Sequence, residues 1–393
     1  MKEPRYAWVI VWAVFVALAV IFGVSYSFAA FFASFEVEFD ARRADVSLVF
    51  GLSGLVYFVL GAGGGILSDR FGPRAVCSVG MLCIAAGLAG ASLADSMVAI
   101  YGAYGLGIGV GIALVYTPAM ACVQPWFVQR RGLAAGIASS GIGAGTVALP
   151  LLAAWAIAEL QWRGALRLLA VGVLCVGLCA TLLLRRAPLS ASATSGRPPG
   201  ATLAEALHDP RFWWLYLACV LASPSMFIPF AHVSASARDL GVDAPSAVGL
   251  VGLIGIGSLV GRFAIGALAD RIGRTLTLVL AQASMGAAYL LWQTAGGYAA
   301  LAVFALWFGL SYGGIVSMLP ALCMDLFGAR AVASILGTLY TGAAAGNLLG
   351  PVLAGAAFDA TGSYSLIRWA CLALSTIATM ASARLFALRG ARY

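Results

Sequence analysis

Charge is scarce in this chain. Of its 393 residues only 10% are charged and 62% are hydrophobic, whereas a soluble domain usually carries about 25% charged residues. Too few charges remain to build a water-facing surface, which excludes a soluble globular protein. Acids are scarcer than bases, 15 against 23. Histidine is nearly absent, with two copies. The chain has no HExxH pattern, and its eight cysteines form no CxxC pair. Zinc hydrolysis and structural zinc sites therefore have no residues to run on. The reading is of a non-enzyme without cofactor or metal. The cysteines all fall inside apolar runs and read as small buried or lipid-facing residues.

What is present is apolar length. Runs of about 20 residues, enough to cross a bilayer, recur from end to end. The first follows a short basic start (Lys2, Arg5) and is too long for a signal peptide, so it reads as a retained span. Polar turns divide the chain into twelve spans, roughly 7–35, 45–68, 74–94, 97–122, 131–157, 163–185, 211–235, 246–269, 274–294, 297–323, 331–358 and 363–388. Residues 186–210 are rich in Pro, Ser and Gly and read as a linker. The expected domains are a six-span half at 1–185 and another at 211–393.

The 23 basic residues divide unevenly. With the N-terminus inside, 16 lie in inner segments, 6 in outer ones, and Arg262 lies within a span. That bias places both termini in the cytoplasm and explains the net charge of +8 as topology rather than nucleic-acid binding.

The halves repeat. Gly65, Leu67, Asp69, Arg70 and Gly72 follow the second span, and Gly266, Leu268, Asp270, Arg271 and Gly273 follow the eighth at a constant offset of 201. A parallel repeat of six-helix halves is a transporter architecture that holds its substrate between the halves. In these loops the glycine supplies a tight turn, the Asp accepts helix-end N–H groups and the arginines stay at the interface. Asp69, Arg70, Asp270 and Arg271 form the candidate gating loops.

Arg262 is the only ionisable residue between Ser246 and Ala269. A permanent charge near the bilayer centre costs on the order of 2.5–3.5 kcal/mol on insertion scales and reads as functional by default. No carboxylate lies in any span core, so Arg262 has no obvious counter-ion. Its planar fork matches a carboxylate. One cation balances one carboxylate, which favours a monocarboxylate such as lactate or a related 2-hydroxy or 2-oxo acid. Ser258 lies one turn earlier on the same face. Tyr116, Tyr312 and Tyr26 are mid-span, and each either binds the ligand or packs between helices. His232 is the one intramembrane histidine, either a proton carrier or a satisfied structural residue. The glycine run from Gly105 to Gly111, and Gly346, Gly350 and Gly355 beside Pro351, read as close helix packing.

The repeated loop resembles the signature of the major facilitator superfamily over essentially the whole chain. A narrower resemblance, to its bacterial monocarboxylate transporter and oxalate–formate antiporter branch, rests on three stretches. They are Gly23, Tyr26 and Phe28; Trp126 to Gly141, including Arg130 and Arg131; and Ile228, Pro229 and His232 with Ala237 to Gly241. The resemblance implies an all-α fold of twelve transmembrane helices in two pseudo-symmetric halves. It implies that Arg262 binds a substrate carboxylate, with Tyr116, Tyr312 and His232 at matching places. Ser258 stands where Asp or Asn is usual. The eleventh span has Asn347, a further candidate for the ligand site, and no lysine, unlike oxalate-type members. The expected activity is proton-coupled symport of a small monocarboxylate by a functional monomer in a prokaryotic inner membrane. The alternatives are an organic-anion exchanger, an exporter of larger amphipathic compounds, or a membrane sensor.

Overall fold

The computed structural model describes residues 4–127, 131–186, 200–328 and 330–390. Most of the expected linker, with Arg130 and the Asp69 side chain, lies outside the described residues. The fold is helical, and among the described residues the one bridge pairs Gly200 with Gly328.

Among the described residues, eleven helices are long and apolar enough to cross a membrane. One of them, Ala134–Leu182, contains two spans divided at Gln161, whose φ of 58° breaks the helix in a single residue. The described residues therefore make twelve spans, an even number, so the first begins and the last ends on one face. Span 1 is Arg5–Glu38, interrupted at Ser27. Spans 2, 3 and 4 are Arg43–Phe71, Pro73–Ala91 and Met97–Val123. Spans 5 and 6 run over 131–160 and 162–182. Spans 7 to 12 are Pro210–Asp239, Ala244–Ile272, Arg274–Thr294, Tyr298–Phe327, Val332–Thr361 and Ser365–Gly390. Asp243 caps span 8 by accepting the Ser246 N–H, which holds its carboxyl below the usual range.

The packing repeats as the loops do. Span 1 packs on span 5 and span 2 on span 4; six spans later, 7 packs on 11 and 8 on 10. The halves meet along spans 2 and 11 and along spans 5 and 8. Both signature loops turn on a glycine of positive φ, Gly72 at 90° and Gly273 at 88°. Asp270 departs from the expectation of N–H capping. It makes a loose ion pair with Arg274 at 3.8 Å, and Arg274 pairs closely with Asp325 of span 10 at 2.6 Å. Arg70 lies over the Phe71 ring and Arg271 is exposed. Among the described residues, no salt bridge from these loops crosses to the other half.

The glycine stripes bring backbones into contact. A methyl on Gly261 would sit 2.0 Å from the Leu310 carbonyl oxygen, and one on Gly313 would sit 2.1 Å from that of Ser258. Spans 8 and 10 are therefore held backbone to backbone beside Arg262, as small residues allow in lipid.

Candidate functional site

Span 8 carries Arg262 into the interior. The residue is 8% exposed, and its Nε and Nη2 have no hydrogen-bond partner among the described residues. It lines a cavity of about 80 Å³ between the halves. Phe22, Tyr57, Tyr116 and Ile142 contribute from the first half, and Arg262, Gln282, Tyr312 and Tyr340 from the second. Among the described residues Arg262 is the one charged group in that lining, and none of them is a carboxylate. The rest is largely aromatic and aliphatic. A cationic fork in an apolar cavity, ringed by phenol hydroxyls, can take one carboxylate and a compact body.

The structure brings together part of the expected set. Tyr116 and Tyr312 line the cavity with Arg262. Tyr26 lies directly behind, its hydroxyl 3.0 Å from that of Tyr312 and its ring stacked on Phe230 at 4.1 Å. This contact joins span 1 to spans 7 and 10 across the halves. Ser258 is buried with its Oγ unpartnered, but it does not line the cavity. Asn347 borders a smaller neighbouring space with Tyr26 and Gly54. Its amide lies 3.5 Å from the Phe50 and Gly51 carbonyls, so it ties span 11 to span 2 rather than facing Arg262.

His232 is fully buried and belongs to a different cluster, at the face opposite the termini. Its Nδ1 is 3.0 Å from the Tyr364 hydroxyl, and its Nε2 is 2.8 Å from the Pro351 carbonyl and 3.1 Å from Ser47 Oγ. The same tyrosine accepts from Arg43, whose guanidinium also grips both Asp239 oxygens at 2.7 Å. Arg43 further reaches Glu36 at 3.2 Å and lies 3.8 Å from the Phe358 ring centre. Asp359 accepts the Arg43 and Ala44 backbone N–H groups. This network closes the far face between the halves.

Sequence reasoning missed Tyr57, Tyr340, Gln282 and Arg43. Tyr57 and Tyr340 carry the same signal as Tyr116, a polar tip in an apolar run, but dozens of residues carry it. Gln282 was legible as an amide in span 9; its Oε1 accepts from Ser382 at 2.5 Å, which turns its NH2 away from that bond. Arg43 was counted among the outer charges, and its pairing with Asp239 of the other half has no local signal.

Comparison with known proteins agrees with this architecture. The family model described as Major Facilitator Superfamily matches residues 13–338 and 225–392. The chain is 33% identical to rat monocarboxylate transporter 13, over 92% of this chain and 84% of that protein. It is 30% identical to the Fujikurins efflux protein of Gibberella fujikuroi, over 68% of this chain and 58% of that protein. A bacterial homolog of the human lysosomal transporter Spinster, in an inward-facing and occupied conformation, superposes with a TM-score of 0.76 at 16% identity. That match covers 98% of this chain and 97% of the Spinster homolog, and it bears on the fold. Twelve spans in two matched sets, a central cavity between them and these relatives lead to one assignment: the chain is a multi-pass membrane transporter that belongs to the major facilitator superfamily, in its monocarboxylate transporter-like branch.

Proposed function

We propose that this transporter moves a small lactate- or pyruvate-like monocarboxylate together with a proton, by rocking of the halves 1–185 and 211–393 about the Arg262 site. The observation that carries the reading is the buried guanidinium of Arg262, whose Nε and Nη2 have no partner among the described residues, in a cavity whose described lining contains no carboxylate. A carboxylate supplies the missing acceptors through two parallel charge-assisted bonds. A dicarboxylate would bring a second negative charge with no cation to meet it. An amino acid would leave its ammonium without a carboxylate partner. The small cavity fits a compact acid. His232 serves as the proton site. The lysine and arginine count supports cytoplasmic termini, which makes the closed far face the outer one, and the proposed location is a prokaryotic inner membrane. One chain contains the whole site, consistent with a functional monomer.

The test is binding and uptake of small carboxylates by the purified protein. Wild type gains thermal stability with lactate or pyruvate and accumulates the acid in proteoliposomes, faster with an inward proton gradient. Arg262→Ala loses both effects. Arg262→Lys recovers little, because an ammonium lacks the planar fork. Full uptake by the alanine variant sinks the assignment of Arg262. Export of a larger amphipathic compound is the second reading, favoured by the apolar lining and by the efflux role in the fungal relative's name. Stabilisation by bulky compounds and not by small acids would decide for it.

A further inference from the structure

The hydrogen bonds around His232 determine its protonation state in this conformation. The Pro351 carbonyl only accepts, so Nε2, at 2.8 Å, must carry a hydrogen. Ser47 gives its own hydroxyl hydrogen to the Arg43 carbonyl at 2.5 Å, so it also accepts from Nε2. Tyr364 accepts from Arg43 at 2.9 Å, leaving its hydrogen to point at Nδ1 at 3.0 Å. The chain of donation runs from Arg43 to Tyr364 to Nδ1, and separately from Nε2 to Pro351. Every hydrogen has an acceptor only if His232 is neutral.

We propose that His232 is the proton-operated latch of the far face: the locked state requires its neutral Nε2–H form, and a proton on Nδ1 releases Tyr364 and with it Arg43. This rests on the proton-coupled reading above. A hydrogen on Nδ1 would confront the Tyr364 hydrogen head on. The hydroxyl would have to turn away from its acceptor, and an imidazolium would lie one oxygen from a guanidinium. The surroundings nevertheless attract a proton once the latch opens. Around His232 and its Arg43–Tyr364 partners are the Phe32 edge and Glu36 from span 1, Arg43 from span 2, Asp239 from its own span, Asp359 from span 11 and Tyr364 from span 12, while Arg42 beside Asp359 is paired with Asp45. Three carboxylates against one guanidinium make a site of net negative charge. A proton therefore binds the open state better than the locked one, and by linkage it favours opening to the far side. The cross-half bond that gives way is Arg43 to Asp239.

Hydrogen exchange on the full-length protein in lipid nanodiscs tests this, with rates corrected for the intrinsic effect of pH. In wild type, peptides spanning 36–47 and 232–243 exchange at least ten-fold faster at pH 5 than at pH 7.5, while termini-face peptides hold steady. His232→Gln can accept from Tyr364 and donate to Pro351 without taking a proton, so it stays protected at both pH values. Tyr364→Phe removes the donor and exchanges fast already at pH 7.5. A wild type without acid response overturns the proposal, as does an acid response kept by His232→Gln. If that variant does not fold, a Tyr364→Phe protein as protected as wild type at pH 7.5 overturns it instead. Proton-driven uptake is measured separately. An acid-opened far face with uptake indifferent to a proton gradient refutes symport and leaves the latch standing.

Discussion

Arg262→Met should make the unliganded protein more stable while destroying its function. Methionine is unbranched, fills a comparable volume and brings no donor into the apolar cavity. The arginine it replaces has Nε and Nη2 buried without partners among the described residues. An unsatisfied buried donor costs about 1–3 kcal/mol, and more where it is charged. Even a buried ion pair can be replaced by well-packed apolar side chains without loss or with a gain of about 1–4 kcal/mol. Arg262 borders the cavity and is 8% exposed, so part of the penalty is relieved by solvation. The expected gain is then about 1–3 kcal/mol, or roughly 2–12 °C in apparent Tm at about 2–4 °C per kcal/mol.

The assay is a thermal unfolding scan in one detergent at one scan rate, since membrane proteins unfold irreversibly and Tm is an operational quantity. Scans with and without a carboxylate complete it. At a hundred times Kd the wild type gains about 2.7 kcal/mol, and the variant gains nothing. A fall in the unliganded Tm of Arg262→Met would refute the reasoning, because it would mean that protein groups already satisfy the guanidinium.

Two further outcomes follow from the same contacts. Gln282→Leu removes the one side-chain amide among the described residues of the cavity lining, and KM for pyruvate rises up to about ten-fold while KM for propionate, which lacks the 2-oxo oxygen, stays put; equal shifts for both acids would exclude contact with Gln282. Gly145→Ala would place a methyl 1.9 Å from the Ala19 carbonyl oxygen, where spans 1 and 5 touch. Overpacking costs about 1–3 kcal/mol or more, so this variant accumulates poorly in membranes. Gly172→Ala meets nothing within 4 Å and gains up to about 1 kcal/mol from helix propensity. Expression and Tm of the two measure the contrast, and equal behaviour counts against the tight contact.

The span count was legible because apolar length and basic flanks are read one helix at a time. The turns at Gly72 and Gly273 were legible because positive φ selects glycine. The break between spans 5 and 6 was placed loosely. It falls on Gln161, a non-glycine at positive φ with no proline or glycine beside it to mark the turn. Arg262 stood out because a charge in a 24-residue uncharged stretch has no local partner to explain it. Asn347 was expected with the ligand because it is polar and mid-span. Its orientation depends on span 2, where Gly54 leaves room for its amide against the Phe50 and Gly51 carbonyls. The His232 cluster draws on spans 1, 2, 7, 11 and 12. No single stretch of sequence contains that arrangement.

The division of the site between the halves links ligand and gate. The cation belongs to the second half, fixed by the backbone contact of spans 8 and 10, while Phe22, Tyr57 and Tyr116 belong to the first. On the far side of the cavity the halves touch through the Tyr26–Tyr312 hydroxyl pair and the Tyr26–Phe230 stack. Beyond these lies the Arg43–Asp239 clasp. Opening the far face must part Tyr26 from Tyr312 and so free a phenol hydroxyl beside Arg262. A carboxylate arriving from that side would find the guanidinium and this new donor together. Closure would return Tyr312 to Tyr26 and weaken the hold. Affinity would then differ between the two faces without movement of Arg262 within its own half, and that difference is what a ligand needs to bias the rocking of the halves.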